Sequence, residues 1–308
     1  MVDEEVILGA NTNYPLNGIL TIPNKANGHL PAVVLVHGSG PTDKDEKVGS
    51  ITPFKDLAEG LSEKGIAVLR YDKRTFVYGN QIKHDNGLSV KEETIEDAIR
   101  AADFLRNDAR IDSNKVFILG HSMGGMLAPR IDAEGGIFAG IIIMAGSPRK
   151  FEEILMDQNY KVLDSLNKIL KIIAKKQIAK LSAKFHNIYN LTDEEAKSTL
   201  VLGRYTRAYY FKEMGEHPST NYLSALDKPM LIMQGDKDFH VSVERDFNVY
   251  KELLSNKPNV TFKLYPNLNH VFMPYVYGEI LKAKKEYKVP QHVDKQVIED
   301  IADWILSV

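Results

Sequence analysis

The chain has 308 residues, of which 44% are hydrophobic, and its formal net charge is −2. This is the composition of a soluble globular protein, long enough for one large α/β domain with an insertion or for two domains. The near-zero charge argues against a general nucleic-acid binder. The lack of cysteine excludes disulfides, thiolate zinc sites and cysteine nucleophiles.

The first residues are acidic and lack the basic and apolar regions of a secretory signal. No apolar run reaches the roughly 18 residues that would suggest a membrane span. We therefore expect a cytoplasmic protein without a membrane span, and the sequence leaves a homodimer open.

Strand-like and helix-like segments alternate along the first half of the chain. Residues 6–8 and 19–22 predict an early antiparallel pair of strands. Continuous apolar runs predict further strands at residues 32–36, 66–69, 116–119 and 141–144. Helical periodicity predicts helices at residues 53–64 and 92–106 and from Met123. Apolar strands that alternate with helices predict a mostly parallel sheet with helices on both faces.

This alternation stops at Pro148. Residues 151–223 show helical stretches and no convincing strand, and their lysine-rich run at 161–184 is amphipathic. That run could touch a membrane surface or an anionic ligand, but a solvated lysine face is the favoured interpretation. The alternation then resumes with strands at 229–233 and 260–264 and helices at 243–254 and 292–306. We therefore assign residues 1–148 and 224–308 to one α/β core and residues 149–223 to an inserted α-helical cap.

Ser122 is the candidate nucleophile. It follows the apolar strand 116–119 within Gly120-His121-Ser122-Met123-Gly124 and precedes a helix. Small residues on both sides permit the sharp strand-to-helix turn of a nucleophile elbow, which leaves the serine hydroxyl exposed. His121 is expected to point away from the site, because alternate residues of a strand face opposite sides.

A serine hydroxyl needs a base to take its proton and a carboxylate to orient that base. Asp238 and His270 each follow a predicted strand, and strand ends meet at one edge of a parallel sheet. Asp236 competes with Asp238, but it is favoured as a turn-capping residue. His240 and His292 compete with His270, and each is less favoured because His240 is adjacent to the acid and His292 opens a predicted helix.

The developing oxyanion needs hydrogen-bond donors. One is expected to be the backbone N–H of Met123, at the start of the nucleophile helix. The other is expected from the loop His37-Gly38-Ser39-Gly40 after the strand 32–36, with the Ser39 N–H preferred and Gly38 as its neighbour. No metal or cofactor site is predicted.

These segments resemble the α/β-hydrolase superfamily, more narrowly its bacterial carboxylesterase and dienelactone-hydrolase-like members. The matching runs are residues 37–41 with Asp43, Asp45 and Glu46, residues 70–74, residues 120–125 with 128–130, and residues 234–238 and 269–270. The resemblance implies a triad of Ser122, Asp238 and His270, an inserted cap over the site, and ester hydrolysis through an acyl-enzyme. Members often carry Arg-Gly after the Asp-Lys pair, whereas here Arg74 precedes residues 75–78, which we interpret as a bulkier loop.

The end of the cap supplies candidate substrate-binding residues. Tyr209, Tyr210, Phe211 and Met214 either line an acyl or alcohol pocket or pack the cap against the core. Arg70, Asp72, Lys73 and Arg74 are expected to form a structural charge network beside the site.

The sequence thus predicts a serine carboxylesterase for a small or medium carboxylic ester. A peptidase, thioesterase, lactonase or acyltransferase could use the same triad. A non-enzymatic binding protein on a hydrolase scaffold ranks lower, since such proteins usually lack a triad member.

Overall fold

A computed structural model describes residues 1–24, 28–203 and 206–308. The described residues form these strands: β1 (Val2–Leu8), β2 (Leu16–Ile22), β3 (Leu30–Val36), β4 (Ala67–Tyr71), β5 (Ile111–His121), β6 (Ile141–Met144), β7 (Leu200–Leu202), β8 (Thr206–Arg207), β9 (Met230–Gly235) and β10 (Val260–Tyr265). They form these α-helices: α1 (Pro53–Glu63), α2 (Arg74–Ile82), α3 (Glu96–Arg106), α4 (Met123–Ile131), α5 (Phe151–Asp164), α6 (Lys168–Asn187), α7 (Asp193–Ser198), α8 (Ala208–Glu216), α9 (Ser219–Ala225), α10 (Asn248–Leu253), α11 (Ala283–Glu286) and α12 (Lys295–Ser307).

Eight of these strands build one sheet in the order β1-β2-β4-β3-β5-β6-β9-β10. The pairs β1–β2 and β2–β4 are antiparallel, and every pair from β4 to β10 is parallel. The predicted mostly parallel sheet and the early antiparallel pair are confirmed. In a parallel sheet the carboxyl ends of the strands share one edge, so the loops after β3, β5, β9 and β10 meet there.

Both faces of the central part of the sheet are buried under helices. Along β3, Val33 and Leu35 join one core cluster, whereas Val34 and Val36 join the other, because successive side chains of a strand point to opposite faces. Helices α1 and α12 cover the first face, and α3, α4 and α10 cover the second. This two-sided burial explains why β3, β6 and the second half of β5 are continuously apolar rather than alternating.

The segment between β6 and β9 is mostly helical and has a small cluster of its own, which includes Phe185, Ile188 and Phe211. It also contains the antiparallel pair β7–β8, which the sequence analysis missed. Strands of three and two residues are too short to show an alternating pattern. Whether residues 149–223 behave as a separate cap domain stays a prediction.

Two other local predictions were wrong. Residues 75–78 are not a loop but part of α2. The last helix begins at Lys295 rather than at His292, because the Asp294 side chain accepts the backbone N–H of Gln296 at 2.8 Å and caps the helix there. Among the described residues, no helix combines the length and the apolar character needed to cross a bilayer.

Candidate active site

Ser122 occupies the sharp turn between β5 and α4. Its backbone angles are φ 53° and ψ −115°, a conformation that costs a non-glycine residue about 1–3 kcal/mol. Its N–H donates to the Met144 carbonyl of β6 at 2.8 Å, which fixes the turn against the sheet. This conformation places the serine at the end of the strand, as a nucleophile elbow requires.

The glycines beside Ser122 are needed for close backbone packing. A Cβ atom on Gly120 would lie 2.2 Å from the Gly124 carbonyl oxygen, and one on Gly124 would lie 2.2 Å from the Val36 carbonyl oxygen. Each contact involves main chain, so side-chain movement cannot relieve it. The small residues of the sequence motif therefore follow from the distance between α4 and the strands β3 and β5.

Asp238 and His270 are in direct contact. Nδ1 of His270 lies 2.6 Å from Oδ2 of Asp238, so the carboxylate accepts the Nδ1–H. Oδ1 accepts the N–H groups of His240 and Val241 at 2.7 and 3.0 Å, and Gln234 donates to Oδ2 at 2.8 Å. Burial alone would raise the pKa of Asp238, but the charge and hydrogen bond of His270, followed by the other neighbours, lower it to about 2. Asp238 is therefore a fixed anion that orients the imidazole.

The competing residues lie in other environments. Asp236 accepts the Asn267 N–H at 2.6 Å, which is the turn-capping contact expected of it. His292 contacts Asp56 at 2.9 Å, and its side chain is 87% exposed. The His240 ring packs 4.8 Å from the His270 ring, and burial together with the charge of His270 lowers the pKa of His240 to about 3. Of these histidines, the one whose ring contacts the Asp238 carboxylate is His270.

Ser122 and His270 line one cavity of about 240 Å³, which we call the nucleophile cavity. Ser39 and Met123 line it too, so the structure brings the predicted nucleophile, base and oxyanion donors together. No hydrogen bond joins the Ser122 hydroxyl to His270 among the contacts of the described residues.

The predicted oxyanion loop, residues 38–40 and called the oxyanion loop below, is held at Gly38. The Gly38 N–H donates to Glu46 Oε1 at 2.8 Å, so this amide is occupied. The Gly38 carbonyl oxygen accepts a hydrogen bond from Nζ of Lys73 at 2.9 Å. In a trans peptide the next N–H points opposite to the carbonyl, so the Ser39 N–H points away from Lys73. Met123 begins α4, where the first N–H groups of a helix have no intrahelical partner.

His121 does not point away from the site, so this prediction was wrong. It lines the nucleophile cavity, and its ring packs 4.8 Å from that of His270. Nδ1 lies 3.0 Å from Glu46 Oε1, and Nε2 lies 3.0 Å from the His270 carbonyl oxygen. Strand alternation fails here because Ser122 has left the extended conformation, so neighbouring side chains no longer face opposite sides.

The four cap residues proposed for substrate binding do not line the nucleophile cavity. Tyr210 and Phe211 line a second cavity of about 420 Å³, which borders the first through Ser39, Phe151 and Leu155. Tyr209 lies beside Lys197, whose ammonium is 5.1 Å from its ring, and Met214 is in the buried core.

Helix α5 supplies one wall of the nucleophile cavity, and the sequence analysis missed it. Phe151, Ile154, Leu155 and Gln158 face the cavity. They occupy positions i, i+3, i+4 and i+7, which lie on one helix face. This spacing, directly after the loop that follows β6, is the signal that could have identified them.

The four residues predicted to form a charge network are each paired, but with other residues rather than with one another. Arg70 pairs with Asp45 at 2.9 Å and Arg74 with Asp97 at 2.7 Å. The Asp72 carboxylate accepts the Lys44 N–H at 2.8 Å. Lys73, which is only 2% exposed, pairs with Glu93 at 3.0 Å. Within the described ranges, no group of three histidine or acidic side chains is arranged to hold a metal ion.

The family model described as "Serine aminopeptidase, S33" matches residues 29–274. The esterase EstD of Thermotoga maritima is 40% identical over 297 residues, which are 95% of this chain, whereas the chain spans only 66% of that relative's length. Est1E of Butyrivibrio proteoclasticus superposes with a TM-score of 0.59 at 14% identity, over 99% of both chains. The Pyrococcus furiosus esterase Pf2001 gives 0.55 at 18% identity, over 99% of this chain and 91% of its own. These two structural likenesses show the α/β-hydrolase fold, and the match to the family model shows that the chain belongs to the serine aminopeptidase S33 family of α/β hydrolases.

Proposed function

We propose that this protein is a serine carboxylesterase that hydrolyses small or medium carboxylic esters through an acyl-enzyme on Ser122. The observation that carries the proposal is the 2.6 Å contact between His270 and Asp238 at the edge of a cavity that Ser122 also lines. An oriented imidazole beside a serine is the arrangement that acyl transfer to a hydroxyl requires. The 40% identity with an esterase supports the same reaction.

The reaction begins at the Ser122 hydroxyl. Because the Asp238 carboxylate accepts Nδ1–H of His270, the proton acceptor of the ring is Nε2. As Nε2 removes the hydroxyl proton, Oγ attacks the carbonyl carbon of the ester. The tetrahedral intermediate then expels the alcohol, which takes the proton from Nε2. A water molecule, deprotonated by the same nitrogen, attacks the acyl carbonyl carbon. The second tetrahedral intermediate expels Ser122 Oγ, which takes the proton back from Nε2, and the acid is released.

The oxyanion of each tetrahedral intermediate accepts the backbone N–H groups of Met123 and Ser39. Gly38 is the weaker candidate because its amide already donates to Glu46. Removing one such donor typically costs about 10²–10³ in kcat, so these two amides contribute a large share of the rate.

The nucleophile cavity supports a small or medium substrate. Its volume is about 240 Å³, and α5 covers it with the apolar side chains of Phe151, Ile154 and Leu155. We infer that residues 149–223 act as a cap that contacts the acyl or alcohol group of the ester. Tyr210 and Phe211 reach the substrate only if it extends into the second cavity.

A peptidase is the second candidate, because the family model carries an aminopeptidase description. A thioesterase, a lactonase and an acyltransferase also use this triad, and a non-enzymatic binding protein remains the lowest-ranked alternative. Cytoplasmic location and a homodimer stay predictions, which cell fractionation and light scattering during gel filtration test.

The test of this function has two parts. A fluorophosphonate probe is expected to label the wild-type protein at Ser122, identified by peptide mass spectrometry. Ester, thioester, lactone and aminoacyl-amide substrates with matched acyl groups are then compared by kcat/KM, with and without an added alcohol acceptor. The proposal requires the ester to be the best substrate and the free acid to be the product. Faster cleavage of the amide would favour the peptidase, and failure to label would favour the binding protein.

A further inference from the structure

Glu46 is a buried carboxylate beside the oxyanion loop that the proposed mechanism does not use. It is only 4% exposed, lines the nucleophile cavity and has a left-handed backbone with φ 50°. Its Oε1 accepts the Gly38 N–H at 2.8 Å, and Nδ1 of His121 lies 3.0 Å from the same oxygen. Burying a carboxylate is costly unless a charge or several donors compensate it, so these contacts require an explanation.

The partners of His121 determine its protonation. Nδ1 faces the Glu46 carboxylate, and Nε2 faces the backbone carbonyl of His270 at 3.0 Å. A carbonyl oxygen only accepts hydrogen bonds, and so does an ionised carboxylate. If Glu46 is ionised, both ring nitrogens of His121 carry a proton, which makes the ring an imidazolium. The alternative is a neutral ring whose Nδ1 accepts a proton held by Glu46.

The charges around the pair favour the ionised form. Burial alone would lower the pKa of His121, but the Glu46 carboxylate raises it above its ordinary value. Burial alone would raise the pKa of Glu46, but the charge and hydrogen bond of His121 hold it below its ordinary value. The other titratable groups that face the pair are His37, Asp238, His240, His270 and Tyr287.

These contacts join the two halves of the proposed site. Glu46 holds the N–H of Gly38, whereas Lys73 holds its carbonyl and is itself paired with Glu93 at 3.0 Å. The Gly38–Ser39 peptide is thereby clamped, which sets the direction of the Ser39 N–H. His121 extends the same network to the main chain of His270.

We propose that Glu46 and His121 form a buried carboxylate–imidazolium pair that positions the oxyanion loop and the catalytic histidine relative to each other. Among the described residues, the hydrogen bonds of the pair go to the Gly38 N–H and the His270 carbonyl and not to the Ser122 hydroxyl or the His270 ring, so both are positioning residues. This inference rests on the proposed function for its effect on rate, but the charge state of His121 is independent of that function.

The charge state is measured first, on the wild-type protein without substrate. Nitrogen-15 NMR of the histidine rings at pH 7, with the His121 signals identified by their loss in His121→Gln, is expected to show two protonated ring nitrogens. A singly protonated His121 would overturn the proposal even in a fully active enzyme. If His121 is doubly protonated but no ester is cleaved, the proposed function fails and the ion pair stands.

The effect on rate is tested with Glu46→Gln, which keeps the shape and an oxygen for the Gly38 N–H but removes the charge. We expect kcat to fall about 10–100-fold with little change in KM, less than the 10²–10³-fold loss of a whole oxyanion donor. Because the charged form of His121 exists only below its pKa, and the carboxylate raises that pKa, the alkaline limb of kcat/KM is expected to move to lower pH. His121→Gln, a second neutral variant, is expected to have a lower kcat than the wild type. Its pH profile of kcat/KM is expected to lack this alkaline limb.

Glu213→Gln is the matched control. Glu213 pairs with the buried Arg130, an ion pair whose residues do not line the nucleophile cavity. This variant is expected to keep the wild-type kcat and alkaline limb. Active-site titration with a fluorophosphonate corrects every rate for the folded fraction. A Glu46→Gln enzyme with wild-type kcat and an unmoved alkaline limb would overturn the positioning role.

Discussion

The Nδ1 nitrogen of His270 lies 2.6 Å from Oδ2 of Asp238, and both side chains are buried at the edge of the nucleophile cavity. This contact fixes which ring nitrogen faces away from the carboxylate. An asparagine in place of Asp238 keeps the size but cannot stabilise an imidazolium, and it offers an N–H where the ring needs an acceptor.

We therefore expect Asp238→Asn to lower kcat on an activated ester by about 10⁴-fold at pH 7.5. Asp236→Asn is the control, because Asp236 accepts the backbone N–H of Asn267 and does not contact His270. The kcat of this variant is expected to stay within about threefold of the wild-type value. Equal losses in the two variants would remove the distinction between the two aspartates.

Acid is expected to destabilise the fold through buried histidines that are neutral when folded. Burial lowers the pKa of His37, which is 1% exposed, from 6.5 to about 4. Between these values the unfolded chain binds more protons than the folded one, so the free energy of unfolding falls as pH falls from about 6.5 to 4, by on the order of 3 kcal/mol. His240 acts in the same direction.

Urea unfolding from pH 8 to pH 4 measures this effect. His37→Gln is expected to give a shallower dependence of unfolding free energy on pH, even if it is less stable at pH 8. His186→Gln, which changes an exposed histidine of α6, is expected to keep the wild-type slope. The same slope in all three proteins would show that His37 titrates normally.

The elbow glycine Gly124 is expected to tolerate no side chain. A Cβ atom there would lie 2.2 Å from the Val36 carbonyl oxygen, so Gly124→Ala is expected to destabilise the fold by about 1–3 kcal/mol or more and to abolish activity. Gly79 lies inside α2, and a Cβ atom added to it would meet no other atom within 4 Å. Gly79→Ala is therefore expected to stabilise the protein by about 1 kcal/mol. Thermal melts compare the two, and an unaffected Gly124→Ala melt would refute the packing explanation.

Helix α5 is expected to set substrate size. Ile154 is buried and lines the nucleophile cavity, so Ile154→Trp should fill part of its 240 Å³. We expect kcat/KM for an octanoate ester to fall more than about tenfold, while that for an acetate ester falls less than about threefold, because only the longer ester needs the space. Tyr209→Trp is the control, since Tyr209 lies away from this cavity. Equal effects on both esters would indicate that α5 does not contact the substrate.

The sequence identified the features that depend on local pattern. Two-sided burial makes β3, β6 and the second half of β5 continuously apolar, so these strands were predictable. The position of Ser122 at a sharp turn was predictable because such a turn demands small neighbours, and the positions of Asp238 and His270 because each follows a strand end. In each case the chemistry and the backbone conformation constrain the same few residues.

The features that were not predicted depend on tertiary packing. His121 turns toward the cavity because of the strained turn at Ser122 and its contacts with Glu46 and His270, which lie 75 and 149 residues away. The role of α5 depends on how the segment after β6 folds back over the sheet. The position of His121 leaves no local pattern in the sequence. The spacing of Phe151, Ile154, Leu155 and Gln158 shows a common helix face but not the cavity that this face covers.

The most direct test of the proposed mechanism is the turnover of Ser122→Ala. Alanine removes the hydroxyl without adding volume, so folding, checked by circular dichroism and thermal melting, is expected to be retained. We expect kcat on an activated ester to fall by about 10⁶-fold and fluorophosphonate labelling to disappear. Wild-type turnover by the folded variant would contradict the assignment of Ser122 as the nucleophile.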